Sequence, residues 1–389
     1  MNIDEIIFTK QDDINNEEYF IADYYVECNT NLYYAAREIA IGQSFGNPNV
    51  RSKFENETLI KNHSNKVILG EHSMTDLQKL KKGSLKIAFP LKNIDFDNDG
   101  ISHLLCIILG GQIDIDNIVV CHVLNLTLPL KIEKKFKKPK FGISGIRKFT
   151  NNFKTPLMGG IIKPKTGMNL KDLEAITNQM VDGGVNFIKE DEILASPSFL
   201  PLKKRVQKIA KILENNKVVF CHCINSDPLH LEEKVKIISE YGGNGVHINV
   251  WSGLGSYKSI RDLDKNLFIH YQKSGDKILL HNKNPFRLDS KVLNYLAYLS
   301  GIDTIHVGMI GGYSNTEAEV VKQSVAFFQK NNILPALSCG LNASNVNNIT
   351  DVIGIDYLAN SGGGIHGHPD GTKAGVMAIK NAMNQYSIK

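Results

Sequence analysis

The amino-acid sequence predicts an α/β protein in which a smaller α+β domain precedes a (β/α)8 TIM barrel. Three observations support this fold class. The chain has 389 residues, more than a single hydrophobic core usually serves. After Pro156 the pattern changes to short apolar runs separated by helical segments, as in successive βα units. Polar residues then follow these runs, where a barrel carries its chemistry.

The first part of the chain mixes strand-like and helix-like segments, which is typical of an α+β domain. Alternating or apolar runs predict strands at 19–28, 84–89 and 119–127, and helical periodicity predicts helices at 31–41 and 101–109. We therefore expect a ferredoxin-like α+β domain over residues 1–140 and the barrel over residues 141–389.

The second part contains eight short apolar runs, the number that closes a TIM barrel. Most are bounded by Gly, Asn or Asp and are rich in β-branched or aromatic residues, as buried parallel strands are. The runs are 157–162, 185–188, 218–223, 245–250, 267–270, 304–307, 334–337 and 357–359.

Polar residues and glycines are concentrated directly after these runs. The carboxyl ends of barrel strands meet at one face, so we expect the residues to form one site. They are Lys163, Lys165, Lys189, Asp191, Glu192, Asn225, His270, His306, Ser338, Gly340, Ser361, Gly362, Gly363 and Gly364.

The composition is that of an ordinary globular protein with a net charge of +5. Basic residues are spread along the chain except for a lysine-rich cluster at 131–140. We interpret this cluster as a solvated linker between domains, with a nucleic-acid patch as the alternative. The charge is compatible with a bound anion and requires no nucleic-acid partner.

The cysteines and the N-terminus indicate a cytoplasmic protein. The six Cys residues show no C-x-x-C spacing and lie mostly in apolar runs, as reduced, buried thiols do. The N-terminus lacks the apolar core of a signal peptide, and no stretch of about 18 apolar residues occurs. We expect neither export nor membrane insertion.

The sequence 187–192, FIKEDE, places a lysine before an acidic pair at the mouth of the predicted barrel. Strand alternation puts Lys189 and Asp191 on the same face. Mg²⁺ prefers oxygen ligands, so the amine of Lys189 cannot serve unless CO₂ adds to it and forms an anionic carbamate beside Asp191 and Glu192. On these residues alone, a lysine salt-bridged to nearby acids is the simpler interpretation.

The wider pattern resembles the RuBisCO large chain and the RuBisCO-like proteins. Residues 160–167, GIIKPKTG, are similar to the G-x-x-I-K-P-K-x-G segment of that family, and FIKEDE is similar to its carbamylation motif. Further similar segments follow in the family's order at 267–270, 303–306, 336–340 and 361–369. The resemblance covers nearly the whole barrel and favours the carbamate over the salt bridge.

The resemblance implies a role for each matched residue. It implies that Mg²⁺ is held by carbamylated Lys189, with CO₂ as the carbamate, and by Asp191 and Glu192. The implied catalytic residues are Lys163, which takes part in proton transfer, with Lys165, Lys189 and His270. His270 and His306 would contact the hydroxyl and phosphate end of a substrate. Considered singly, each histidine could equally well be a structural residue buried in the core. The resemblance implies that Ser338, Gly340, Gly362 and Gly363 bind the phosphate of the substrate. Without the resemblance, these glycine-rich segments would be interpreted as ordinary turns.

Three departures from the family pattern bear on the reaction. In the stretch 307–314, Tyr313 or a neighbour stands where carboxylating members carry a lysine after the sixth strand. Tyr271 replaces the usual arginine beside the histidine, which weakens the case for a second phosphate. The segment 109–112 lacks the lysine of the methionine-salvage enolase.

The preferred hypothesis is a Mg²⁺-dependent RuBisCO-like tautomerase or isomerase that enolises a phosphorylated ketose-type substrate through a metal-bound enediolate. The alternatives are a decarboxylase of a 3-oxo sugar-acid phosphate, a true ribulose-bisphosphate carboxylase, and a non-catalytic sugar-phosphate-binding protein. The resemblance also implies a homodimer, or an assembly of dimers, with a small phosphorylated molecule as substrate.

Overall fold

The computed structural model describes residues 2–50, 52–313 and 317–386. The strands are β1 (Phe8–Thr9), β2 (Tyr19–Cys28), β3 (Lys66–Ile68), β4 (Lys82–Pro90), β5 (Ile118–Thr127), β6 (Leu157–Ile161), β7 (Phe187–Lys189), β8 (Val219–Cys223), β9 (Gly245–Asn249), β10 (Phe268–Gln272), β11 (Phe286–Leu288), β12 (Thr304–Gly308), β13 (Leu334–Leu337) and β14 (Leu358–Ser361).

The helices are α1 (Asp4–Ile7), α2 (Leu32–Gly42), α3 (Glu57–His63), α4 (Met74–Lys79), α5 (Gly100–Ile108), α6 (Leu130–Glu133), α7 (Gly142–Thr150), α8 (Leu170–Gly183), α9 (Leu202–Leu213), α10 (Pro228–Glu240), α11 (Leu254–Asp262), α12 (Lys277–Leu280), α13 (Ser290–Leu299), α14 (Ala318–Lys330), α15 (Val346–Ile353), α16 (Gly363–His366) and α17 (Thr372–Asn384). Among the described residues, no helix combines the length and the apolar character needed to cross a membrane.

The chain forms two compact units, one of 1–136 with 275–296 and one of 137–274 with 297–389. The first unit is built on a mixed sheet with the strand order β1-β3-β4-β2-β5-β11. Alternate residues of its central strand β2 are buried, which explains the period of two in the sequence. The segment 275–296 supplies β11, which pairs in parallel with β5 and was not foreseen from the sequence.

The second unit is a closed barrel of eight parallel strands in the order β6-β7-β8-β9-β10-β12-β13-β14. Every one of the eight predicted runs contains or overlaps one of these strands, so the predicted fold class is confirmed. Side chains from the first residues of several strands, among them Leu157, Phe187 and Leu358, form one buried cluster with Ile143 and Ile146 of α7. The cluster fills the amino-terminal end of the barrel, so the open end is the carboxyl one.

The helix that follows β6 has well-defined ends. Its Asn169 side chain accepts hydrogen bonds from the first turn of α8, while Asp172 bonds back to the Asn169 backbone. Gly184 ends the helix at φ 91°, a conformation that glycine adopts without strain. These signals fix the length of α8 and therefore the point at which β7 begins.

The cysteines are free thiols, as expected. Four of them are buried, whereas Cys106 is exposed and Cys339 is half-buried, so the expectation of buried thiols is wrong for these two.

Candidate active site

A cavity of about 380 Å³ opens at the carboxyl ends of the barrel strands. Its lining comes from the ends of β6, β7, β10, β12, β13 and β14 and from the loops that follow them. The predicted residues that line it are Lys163, Lys165, Lys189, Asp191, Glu192, His306, Ser338, Gly340, Ser361, Gly362, Gly363 and Gly364. Two predicted residues, Asn225 and His270, are outside this lining, and His270 is completely buried.

Asp191 connects the first two barrel strands at the cavity wall. Lys163 Nζ, from the loop after β6, lies 2.8 Å from Asp191 Oδ2. Lys165 Nζ lies 3.7 Å from Asp191 Oδ1, so two lysines share one carboxylate. The carboxylate is only 3% exposed while the lysines are 30% and 49% exposed, which places the charge pair at the edge of the cavity. Burial of Asp191 strengthens its interaction with the two lysines, whereas their exposure to solvent screens it in part.

Lys189, the last residue of β7, is buried with its Nζ 3.4 Å from Glu192 Oε2. Burial lowers the pKa of the Lys189 amine, although the charges of Glu192 and Asp191 oppose the shift. The uncharged amine, the form that adds CO₂, is therefore more populated than in an exposed lysine. Burial raises the pKa of Glu192, but the Lys189 charge and a Ser274 hydrogen bond outweigh burial and lower it to about 2.

Glu190 lies between these residues in sequence but points the other way, as strand alternation requires. Its carboxylate is completely buried and accepts hydrogen bonds of 2.8 and 3.1 Å from Arg205 of α9. It also accepts one from the Cys223 backbone at 2.8 Å and lies 3.2 Å from His222 Nδ1. This network ties the end of β7 to α9 and β8 and so fixes the direction of Lys189 and Asp191. Its role was not predicted from the sequence.

The donor chemistry fits a divalent cation only with a modified lysine. No group of three or more His, Cys, Asp or Glu side chains suited to a metal ion is found among the described residues. Asp191 and Glu192 supply two carboxylates, and the Lys189 amine is held next to them. A carbamate on that amine would supply the third anionic oxygen ligand that a hard cation needs.

The loops after β13 and β14 bring glycines to the cavity lining together with Ser338; Gly340, Gly362 and Gly363 are here called the glycine wall. Gly340 has φ +116°, which only glycine adopts readily. A Cβ at Gly362 would lie 3.2 Å from Lys163 Cε, whereas a Cβ at Gly363 would meet nothing within 4 Å. The chain therefore presents bare backbone next to Lys163, which suits an anion. A helix dipole contributes little here, because α16, which starts at Gly363, has only four residues.

The two predicted histidines have different environments. His306 lines the cavity, and neither of its ring nitrogens has a hydrogen-bond partner among the described residues. Burial, followed by the Lys273 and Lys189 charges, lowers the pKa of His306 to about 3, so the ring is neutral. His270 Nδ1 lies 2.5 Å from Thr304 Oγ1 and its Nε2 lies 3.4 Å from Gln272 Oε1. His306 is available to a ligand, whereas His270 would first have to leave these contacts.

The sequence did not point to several lining residues, among them Gln272, Ser274 and Asn360. Gln272 Nε2 donates to Ser274 Oγ at 2.5 Å, and Ser274 in turn hydrogen-bonds Glu192. This chain of contacts holds Glu192 in place from the end of β10. Asn360, near the end of β14, also faces the cavity. Strand alternation could have indicated Gln272 and Asn360, since they share a face with His270 and Leu358.

Two tyrosines clarify the departures noted in the sequence. Tyr313 lines the cavity mouth, is 81% exposed, and donates its backbone N–H to the Cys339 carbonyl at 3.2 Å. A neutral phenol therefore lies at this mouth; Ser314, the neighbouring candidate position, is outside the described residues. Tyr271 points away from the cavity and stacks on Tyr257 of α11, with ring centroids 4.4 Å apart.

The barrel matches one known protein family. The family profile described as Ribulose bisphosphate carboxylase large chain, catalytic domain, matches residues 142–387, more than half of the chain. The chain belongs to this family. The matched residues begin at α7 and include all eight strands of the barrel.

Relatives of this RuBisCO-family chain carry different names. It is 28% identical over 341 residues to a ribulose bisphosphate carboxylase of Archaeoglobus fulgidus (79% of this chain, 77% of the relative). It is 30% identical over 319 residues to a 3-oxo-isoapionate-4-phosphate decarboxylase of Rhizobium etli (78% and 75%). It is 29% identical over 387 residues to a 2,3-diketo-5-methylthiopentyl-1-phosphate enolase of Bacillus cereus (94% and 91%). The family is therefore one of enzymes, with more than one activity.

Solved structures share the fold of this RuBisCO-family chain. The octameric Rubisco of Pyrococcus horikoshii superposes with a TM-score of 0.86 at 24% identity, covering 98% of this chain and 91% of that one. A dimeric archaeal Rubisco from Hyperthermus butylicus gives a TM-score of 0.84 at 20% identity, covering 98% and 93%.

Proposed function

We propose that this protein is a Mg²⁺-dependent RuBisCO-like enzyme that enolises a phosphorylated ketose-type substrate, with tautomerisation or isomerisation as the overall reaction. One observation carries the proposal. Lys189, Asp191 and Glu192 meet on one wall of the cavity, with Lys163 Nζ 2.8 Å from Asp191. A protein that only binds its ligand has no need of this set.

Each residue of the site has a separate role in this proposal. Asp191, Glu192 and the carbamate of Lys189 would hold Mg²⁺, which when bound supplies a Lewis acid for a carbonyl and its neighbouring hydroxyl. Lys163 moves the α-proton of the substrate at its Nζ atom, and Lys165 adds positive charge that favours the enediolate. His306 offers ring nitrogens to the substrate, and the glycine wall with Ser338 holds the phosphate. The catalytic assignment of His270 stays a prediction.

The charges in the cavity favour a monophosphate. The cationic side chains of the described lining are Lys163, Lys165 and Lys189, and each lies within 4 Å of a carboxylate. Tyr271 stacks on Tyr257 and brings no group to the cavity. The glycine wall can therefore bind one phosphate, whereas a second phosphate would have no cationic side chain left to pair with it.

Decarboxylation of a 3-oxo sugar-acid phosphate is the second candidate. Loss of CO₂ from a β-keto acid leads to the same enediolate and needs no lysine at the position of Tyr313. The 30% identity to the Rhizobium etli decarboxylase favours keeping this candidate. True carboxylation is disfavoured, since a neutral, exposed tyrosine gives a new carboxylate little electrostatic support.

Deuterium uptake from D₂O tests the proposal. The protein is incubated with Mg²⁺ and bicarbonate and with methionine-salvage and apiose-type sugar phosphates, and exchange at the α-carbon is followed by mass spectrometry. Exchange without CO₂ release is expected. CO₂ release without prior exchange would favour the decarboxylase, and binding without either would favour a non-catalytic protein.

We also propose that the protein forms a homodimer or an assembly of dimers. The support is the family: the structures described above are octameric in one case and dimeric in the other. Light scattering coupled to gel filtration should give twice the 43.3 kDa of the chain, or a multiple of that mass. A mass equal to one chain at micromolar concentration would contradict it.

A further inference from the structure

Asn360 has an unusual position for an asparagine. It lies in β14, lines the cavity, and is 1% exposed. Neither Nδ2 nor Oδ1 has a hydrogen-bond partner among the described residues. The neighbouring Ser361 differs, because its hydroxyl donates to the Leu341 carbonyl at 2.8 Å. The protein thus satisfies the serine internally and leaves the adjacent amide unsatisfied.

The barrel makes room for this amide. Asn360 pairs in register with Gly159 of β6, and a Cβ at Gly159 would lie 2.9 Å from Asn360 Oδ1 and 2.8 Å from Leu358 Cδ1. A side chain at position 159 would force both the Asn360 amide and the Leu358 side chain to move. Gly159 therefore leaves space for the polar Asn360 side chain inside the barrel. An apolar residue at position 360 would pack there without leaving a buried polar group unpaired.

A buried amide without partners is costly. Leaving one buried donor or acceptor unsatisfied costs about 1–3 kcal/mol, and a primary amide carries both kinds of group. A ligand that offers an acceptor and a donor together removes this cost. A carbonyl next to a hydroxyl, or two neighbouring hydroxyls, has this combination, whereas an alkyl or thioalkyl chain has neither.

The rest of the lining supports a polar ligand. Ile161 and Leu341 are the only aliphatic side chains among the described lining residues, and His306 also presents unpartnered ring nitrogens. An apolar tail would cover these polar groups without replacing their hydrogen bonds. The methylthio group in the name of the Bacillus cereus enolase substrate is a tail of that kind.

We propose that Asn360 is a specificity-determining residue that binds oxygen substituents on the carbon chain of the substrate, so that this protein selects polyhydroxylated sugar-type phosphates over alkyl or thioalkyl phosphates. The proposal rests on the proposed function for the location of the substrate. It adds a residue and a selection rule to that function.

The test compares two pairs of ligands. D-ribulose 5-phosphate and D-xylulose 5-phosphate carry oxygens on every carbon, whereas pentyl phosphate and 5-(methylthio)pentyl phosphate have unoxidised chains. Titration calorimetry with Mg²⁺ and bicarbonate gives the dissociation constants for the native protein and for Asn360→Leu, which has similar size and no polar group. Asn360→Ala serves as a second variant if leucine does not fit.

In the native protein at least one ketose phosphate should bind about tenfold or more tightly than both chain phosphates, the factor that corresponds to one lost buried hydrogen bond. Asn360→Leu should lose that difference, keep its affinity for the chain phosphates, and unfold at the same or a higher temperature. Equal affinities in the native protein, or equal losses for all four ligands in both variants, would overturn the proposal.

The outcome is separable from that of the proposed reaction. If the selectivity depends on Asn360 but no ligand takes up deuterium, the enolisation proposal fails and the specificity proposal stands. If deuterium is taken up and Asn360→Leu exchanges and binds like the native protein, the specificity proposal fails alone.

Discussion

Lys163 Nζ lies 2.8 Å from Asp191 Oδ2, so an amine from the loop after the first barrel strand contacts a carboxylate from the loop after the second. The same carboxylate is one of the two that we assign to Mg²⁺. The lysine ammonium and a metal ion would therefore compete for the same carboxylate. This competition gives the site a property that can be measured without knowing the substrate.

Replacing Lys163 with Met should separate metal binding from proton transfer. Removing the competing ammonium should tighten Mg²⁺ binding by about threefold to thirtyfold, the range of a modest charge interaction near a surface. Deuterium exchange should fall by about a hundredfold or more, because a positioned acid–base group contributes on that order. Calorimetry and mass spectrometry give the two quantities. Weaker Mg²⁺ binding in this variant would contradict the assignment of Asp191.

Replacing Lys189 with Met should remove the third ligand. Bicarbonate should then no longer strengthen Mg²⁺ binding, and exchange should fall by about a thousandfold, since a Lewis acid contributes several kcal/mol. The matched control is Lys171→Met, because Lys171 is exposed at the start of α8. The control should exchange like the native protein. Bicarbonate-dependent Mg²⁺ binding that survives in Lys189→Met would speak against the carbamate.

Glu190 should matter for stability. Replacing it with Gln breaks a fully buried ion pair with Arg205 and should lower the free energy of unfolding by about 3–5 kcal/mol. The control Glu174→Gln breaks a surface pair with Lys208 and should cost at most about 1 kcal/mol. Urea unfolding measures both. Equal losses would show that the buried network does not anchor β7.

The same carboxylate predicts a pH dependence of stability. Burial raises the pKa of Glu190, but Arg205 and His222 outweigh burial and hold it at about 2, below the ordinary value of 4.5. A group with a lowered folded pKa stabilises fully above its unfolded pKa, and this contribution is lost as the pH falls from about 4.5 towards 2. The native protein should therefore lose more stability than Glu190→Gln over this range. Parallel pH curves for the two proteins would contradict this.

The two histidines should respond differently to replacement. His306→Leu removes unpartnered nitrogens and should leave the unfolding temperature unchanged or higher, while weakening ketose phosphate binding by about tenfold. His270→Leu removes the contacts of His270 with Thr304 Oγ1 and Gln272 Oε1 and should destabilise the protein by about 1–3 kcal/mol. Calorimetric scanning and titration distinguish the two effects. A loss of binding without a loss of stability in His270→Leu would favour direct contact with the substrate.

Much of the fold could be predicted because it is encoded locally. Each barrel strand is a short apolar run, and parallel strands buried on both faces produce such runs. The pairing of β11 with β5 could not be predicted, since a three-residue strand far along the chain carries no sign of its partner. Most site residues were found because they follow the strands. Glu190 was missed because its role depends on Arg205, which is near only in the folded chain. Strand alternation could have placed Asn360 inside the barrel, but its pairing with Gly159 is visible only in the fold.

The most direct test of the central claim is carbon-13 NMR of the protein with Mg²⁺ and ¹³C-labelled bicarbonate. We predict one protein-bound carbamate signal that depends on Mg²⁺, disappears in Lys189→Met and persists in Lys171→Met. A native protein that binds Mg²⁺ at Asp191 and Glu192 with no carbamate signal would contradict the account.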